Sequence, residues 1–481
     1  MRRRFCLIVP LAALIGWGCH TPPAYESAPL PRFLLDPASP QLPSPEEPPE
    51  VPIARRPVVT LPDAIQECVL NSLRLKVGVE HLRLAQADYV TESLIPNCQF
   101  LADAQLLPLS SINLVNQGGP PQYDAYLAVP VDWLLFGKRV AAQAAARLNV
   151  DVAQAEFADL LRKEVSLTVD AFYDALEADV AVGLADQTVQ ALLSLEKLAR
   201  ERGKADEAST LESRRVRLAV LDAQRELRKR RAAAETTKAK LQARIGRPPD
   251  TPDFVVRGTL DVRAVAPPMS VTRAWAIAEQ NRPDLVAARR AISTAEAAIA
   301  RERRRAHPQV ALTAGVDYQD QVRITGFRNP WLWTVAATAT LPLTDRNQGR
   351  IMAAEAVARS ARAALGVAIA DARAEVEQAV AEYTEAVNGV TGEDIPSLQN
   401  ARLVREETLT RYRKGTKDIV DALDAERAYR DRLRNTLGNL TDYWQALNHL
   451  NAAVGLRVLS AEVAEKDSLL EKGKELGPPR N

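Results

Sequence analysis

Arg411-Tyr412-Arg413-Lys414-Gly415-Thr416-Lys417-Asp418-Ile419-Val420-Asp421-Ala422-Leu423-Asp424 reads as a tight turn between two helices. Gly415 suits the left-handed residue that ends a helix, and the acidic residues after it suit a new helix N-terminus. Asp421 and Asp424 are spaced i, i+3 and therefore share one helix face. Two readings of that face stay open. The carboxylates complement the dipole of their own helix, or, in a symmetric ring of chains, they form two stacked acidic rings that favour cations.

Outward from this turn the chain repeats itself. Lys414-Gly415 is matched by Arg202-Gly203, and Val454-Gly455 by Ile245-Gly246. Ala274-Trp275 with Asn281 and Leu285 is matched by Ala64-Ile65 with Asn71 and Leu75; Pro308 is matched by Pro96, and Gly349 by Gly137. The offset stays near 210 residues, so each copy is domain-sized rather than a solenoid repeat. The copies run over residues 59–248 and 268–456, with a linker at 249–267 and a C-terminal tail at 457–481. They differ at the turn, where Ser209 stands in place of Asp421.

Each copy is expected to hold a helix, two strands, a very long helix, a tight turn and a returning long helix. The first helix spans about Pro62 to Ile95 and stops at Pro96. Lys138 to Arg202 has no proline and only Gly183, which gives a helix of about 95 Å. Asp206 to Ile245 returns for about 60 Å. The second copy is interrupted at Asn388-Gly389, Gly392 and Pro396. Helices this long, rich in alanine, point to coiled-coil packing. Strands are expected at Asn97–Leu107, Tyr123–Leu135, Gln309–Gln319 and Trp331–Leu341. In the second copy apolar and polar residues alternate, so each strand has two unlike faces. Strands of that length can cross a bilayer in a tilted barrel, but four cannot close one, so a membrane reading demands an oligomer.

The first 18 residues resemble a secretory signal: Arg2-Arg3-Arg4, a short apolar run from Phe5 to Ile15, then Gly16-Trp17-Gly18-Cys19. The last four resemble a lipoprotein cleavage site, which would lipidate Cys19; ordinary signal cleavage nearby is the other reading. Residues 19–58 are proline-rich and read as a tail. Cys68 and Cys98 lie too far apart along one helix for a disulfide and are expected as buried thiols. Lys+Arg 62 against Asp+Glu 61 leaves no basic field for nucleic acid. No phosphate loop, nucleophile elbow or zinc motif is present, so no enzyme, cofactor or resident metal is expected.

Residues 59–456 resemble the TolC-type outer-membrane efflux ducts, in the duplication, the strand pairs and the glycine-centred turns. Tyr412 to Asp424 is similar to that family's periplasmic-tip motif. The resemblance implies a mainly helical protein with a small β part. Three chains would share a twelve-stranded barrel in the outer membrane, continued into the periplasm by helices. It implies Asp421 and Asp424 as gate and selectivity carboxylates, and Tyr412 and Lys417 as aperture latch, Lys417 standing where the prototype has arginine. The turns at Gly203 and Gly415 would meet a periplasmic adaptor (a membrane fusion protein), itself joined to an inner-membrane pump of the RND type. Leu341-Pro342-Leu343-Thr344-Asp345-Arg346-Asn347-Gln348-Gly349-Arg350 is similar to the strand-to-helix corner of the heavy-metal-efflux, CusC/CzcC-like branch, with Thr344 where phenylalanine is usual. The function implied is passive export of heavy-metal cations or small molecules. The alternatives are a drug or type I protein-secretion duct, and a periplasmic coiled-coil lipoprotein or adaptor with no pore.

Overall fold

The structure, a computed structural model, describes residues 57–105, 121–203, 208–251, 253–262, 265–322, 326–392 and 394–457. Cys19 and both tails lie outside the described residues. Two compact units alternate along the chain. One takes residues 81–154 and 287–366; the other takes 57–80, 155–286 and 367–457 of the described chain.

The first unit is built on a four-stranded antiparallel sheet of β2 (Gln99–Gln105), β3 (Gln122–Pro130), β5 (Gln309–Gln319) and β6 (Trp331–Thr340), in that order. β3 stops at Pro130, short of the expected Leu135. Pro130 cannot donate to a ladder, and Val131 leads into the short helix α3 (Asp132–Leu135), where Trp133 Nε1 donates to the Pro130 carbonyl at 2.9 Å. The register fixes two faces: Asp103 lies opposite Asp124, Asp124 opposite Asp317, and Tyr126 opposite Gly315. That face is polar. Gln105 and Gln122 donate to Asp124, and Tyr126 and Thr334 donate to Asp317. The opposite face carries Leu127, Val129, Val310, Leu312, Trp331 and Trp333, the two tryptophans 72% and 79% exposed. Helices leave this sheet through tied corners. Lys138, the first residue of α4 (Lys138–Gly203), meets Asp132 at 2.8 Å and the Pro308 carbonyl at 2.9 Å. Asn347, with φ of 59°, donates to the Glu302 carbonyl and carboxylate just before α8 (Gln348–Thr391).

The second unit is helical. The expected first helix is two, α1 (Leu61–Asn71) and α2 (Leu73–Ser93), broken at Ser72 with ψ of 122°. The second copy breaks identically into α6 (Val271–Asn281) and α7 (Pro283–Arg305) at Arg282, where Pro283 forces its predecessor out of helical geometry. Each break seats the end of a returning helix. α5 (Ala208–Arg244) ends at Gly246, φ 73°, against Asn71; α10 (Ile419–Val454) ends at Gly455, φ 77°, against Arg282. The residues matched between the copies, Asn71 with Gly246 and Asn281 with Gly455, are thus neighbours in space. The linker is not featureless: β4 (Val255–Val256) pairs in parallel with β1 (Val58–Val59). Cys68 is buried, as expected, and takes a hydrogen bond from Thr168. Cys98 is exposed, contrary to expectation, because it falls between α2 and β2 rather than inside packing.

Two buried arginines close the end of α10. Arg282 grips Asp284 at 3.1 and 2.7 Å, reaches Glu375 at 2.7 Å and donates to the Ala453 carbonyl at 2.8 Å. Arg162 meets Asp159 at 2.7 Å and donates to the Ala452 carbonyl at 2.5 Å. Helix C-terminal carbonyls are electronegative and otherwise unpaired, so cations are stabilising there.

His449 of α10 bridges α4 and α8. Its Nε2 lies 3.1 Å from Asp170 and its Nδ1 3.4 Å from Glu382. The Asp170 hydrogen bond outweighs desolvation and lifts the imidazole to about 9. A raised value means that this tie stabilises fully below the unfolded histidine range, near 6.5, and is lost as pH rises through about 9. The side chain is 43% exposed, so screening leaves about 1 kcal/mol. His449→Gln is expected to flatten thermal stability between pH 7 and pH 9. An unchanged slope in melting profiles over that range would contradict the assignment.

Candidate functional site

The turn at Gly415 is built from the sequence upward. α9 (Asp394–Arg413) ends with Gly415 at φ 79°; its N–H reaches the Tyr412 carbonyl at 3.0 Å, and Thr416 N–H reaches the Arg411 carbonyl at 3.0 Å. That pair of bonds is the Schellman closure, and it needs a residue that tolerates positive φ. Asp418, extended at φ −83° and ψ 160°, then starts α10.

Burial decides which way the new helix faces. Ile419, Ala422 and Leu423 are buried with Tyr412 against Leu192, Leu195 and Ala199 of α4 and Val216, Val220 and Ala223 of α5. Each fully buried aliphatic side chain contributes roughly 1.5–3 kcal/mol, so this core fixes the hairpin's rotation. Asp421 and Asp424 are left on the opposite, solvent-facing side, as their i, i+3 spacing requires. Neither stands alone. Lys417 Nζ lies 3.0 Å from Asp421, and Arg427 lies 3.5 Å from Asp424.

The two latch candidates go to different places. Tyr412 is fully buried, and its hydroxyl donates to Glu212 of α5 at 3.2 Å, tying the second copy to the first. Lys417 turns to Asp421, one helical turn further along its own strand of chain. Gly203 closes α4, and the residues after it, 204–207, lie outside the described residues. Glu212 and Arg427 escaped the sequence reading. The signal for Glu212 was present: at the offset that pairs Gly203 with Gly415, Glu212 is the counterpart of Asp424. Beneath the turn, Arg405 meets the buried Glu426 at 2.6 Å and stacks over Tyr429.

Among the described residues no group of three or more His, Cys, Asp or Glu could hold a metal ion. No described helix is long and apolar enough to cross a membrane. The sheet's outer strands, β2 and β6, have no further strand partner among the described residues.

Residues 276–456 match the family model for outer membrane efflux proteins. The chain is 25% identical over 231 residues to the cobalt-zinc-cadmium resistance protein CzcC of Cupriavidus metallidurans, covering 48% of this chain and 52% of that one. The chain thus spans about half the length of the curated relative it matches. The fold is that of solved outer-membrane channels. It superposes on CusC with a TM-score of 0.67 at 17% identity, over 82% of this chain and 92% of that one. It superposes on the open state of the MtrE channel of Neisseria gonorrhoeae with a TM-score of 0.68 at 18% identity, over 83% and 89%.

Proposed function

We propose, from the match of residues 276–456 to the outer membrane efflux protein model, that this chain is the outer-membrane duct of a tripartite export system. The observation that carries it is the sheet. One face is polar and internally hydrogen-bonded, the other is apolar and exposed, and neither edge has a further strand partner among the described residues. In lipid, open edges must be paired, and four strands close no barrel. Three copies would supply twelve strands, enough for a water-filled lumen behind an apolar wall. Asp103, Asp124 and Asp317 would line that lumen, and Trp331 and Trp333 would face lipid and headgroups.

The helical part would extend into the periplasm and end at the Gly203 and Gly415 turns, where a periplasmic adaptor docks. An inner-membrane pump, of the RND type, would supply the energy; transport through the duct itself is passive. Asp421 and Asp424 would form the selectivity rings, and Tyr412 on Glu212, with Lys417 on Asp421, would hold the aperture. The name of the CzcC relative, a cobalt-zinc-cadmium resistance protein, favours heavy-metal cations as cargo. The repeat boundaries at 59–248 and 268–456 and lipidation at Cys19 belong to the same reading.

Two measurements test it. Outer-membrane fractions should contain heat-modifiable trimers, and protein found only in the soluble fraction would favour the non-pore coiled-coil reading. In planar bilayers the purified protein should conduct with cation preference, and joint replacement Asp421→Ala with Asp424→Ala should reduce that preference severalfold. Unchanged selectivity in the double variant would remove the gate assignment.

A further inference from the structure

We propose that Arg427 sets the charge selectivity of the tip by counter-charging Asp424, an inference that rests on the duct reading above. Asp424 and Arg427 are 63% and 62% exposed, and they sit 3.5 Å apart on the same outward face of α10. The neighbouring carboxylate Glu426 is buried and taken by Arg405 at 2.6 Å, so it does not compete for Arg427. One turn further along the exposed face comes Asp431. The face therefore alternates acid, base, acid: Asp424, Arg427, Asp431. The first copy has the same residue types at the equivalent positions, Glu212 and Arg215, but there Glu212 turns to the buried Tyr412.

A bare ring of carboxylates at a constriction acts over about one Debye length, roughly 8–10 Å in physiological salt. A guanidinium 3.5 Å from each carboxylate lies well inside that distance. Beyond a few ångströms the pair then acts as a dipole rather than a charge, and the pull on passing cations falls. Asp421 has its own counter-charge in Lys417 at 3.0 Å. The tip would therefore discriminate more weakly between cations and anions than two unpaired acidic rings. Lys417 is a poor test residue because the latch reading also uses it. Arg427 is exposed and touches neither the buried core of the turn nor the Tyr412–Glu212 bond.

The test is reversal potential in planar bilayers under a salt gradient, at low and high ionic strength. Arg427→Gln is expected to raise the cation-to-anion permeability ratio about two- to fivefold at low salt, the range an exposed ion pair spans, and less at high salt. Arg427→Lys keeps the charge and should leave the ratio near that of the parent. If Asp421→Ala with Asp424→Ala lowers the ratio while Arg427→Gln leaves it unchanged, Arg427 has no such role and the proposal is overturned, with the duct reading intact. If correctly folded trimers do not conduct at all, the duct reading falls and this proposal falls with it. An equal rise with Arg427→Lys would show that side-chain shape, not charge, sets the ratio, and would also overturn it.

Discussion

Replacing Arg282 by methionine is expected to lower stability by about 3 kcal/mol, near the lower end for breaking a buried ion pair. The guanidinium is 2% exposed and joins four acceptors: both oxygens of Asp284, one of Glu375, and the Ala453 carbonyl. Methionine keeps much of the volume but leaves these acceptors facing a thioether. Glu375 is half exposed and would recover water, which limits the loss. Asp284 would not recover as well. Burial pushes its carboxyl up, and the hydrogen bonds and charge of Arg282 more than reverse this, so its value in the folded protein lies below normal. A depressed carboxylate lends stability above its unfolded range, near 3.9, and that stability is lost as pH falls through the folded value. In Arg282→Met the burial effect is opposed only by Arg162, 4.0 Å away, and by the Leu285 N–H, which donates to Asp284 at 2.8 Å. The acid limb of the stability profile should then move to higher pH. Arg282→Lys should recover only part, since one ammonium cannot hold Asp284 bidentately. Thermal melts of the purified protein from pH 4 to pH 8 check this; a melting point and acid limb equal to those of the parent would show that the cluster is dispensable.

Much of this was legible beforehand, and the rest was hidden for identifiable reasons. The long helices and the Gly415 closure follow from local signals: the absence of proline, a glycine at the turn, carboxylates after it. The shared face of Asp421 and Asp424 follows from helical period alone. The break at Ser72 carried no such signal, because Asn71-Ser72-Leu73 can continue a helix. Its second-copy counterpart Asn281-Arg282-Pro283 contains the proline that forbids it, so the two copies together hold information that neither segment shows alone. The partners of Arg282, Tyr412 and His449 were not legible. Ala453, Glu212 and Asp170 lie 171, 200 and 279 residues away, and only helix packing brings them near. The short pair β1–β4 was also hidden, since two valines on each side are too few for any period to emerge.

Gly246→Ala is expected to cost about 2–4 kcal/mol, from two independent sources. Gly246 sits at φ 73°, where a side chain strains the backbone by roughly 1–2 kcal/mol. A Cβ there would also lie 2.6 Å from the Asn71 carbonyl oxygen and 2.7 Å from its carbon. Those atoms are backbone, at the end of α1, and cannot rotate away as a side chain could. The end of α5 must therefore lift from the α1–α2 break, loosening Leu241 and Ile245 from the core they share with Val59 and Ala64. Gly455→Ala separates the two contributions. Its φ of 77° imposes the same backbone strain, but its Cβ would meet the backbone of Arg282 and the Asn281 carbonyl oxygen at 3.2 Å, a contact that a shift of a few tenths of an ångström relieves. Gly246→Ala should thus lower the melting point clearly more than Gly455→Ala. Equal losses would mean that backbone strain alone matters and that Asn71 yields without cost. Gly137→Ala completes the series. It has φ of 63° with nothing within 4 Å of the added carbon, and so should show the strain alone.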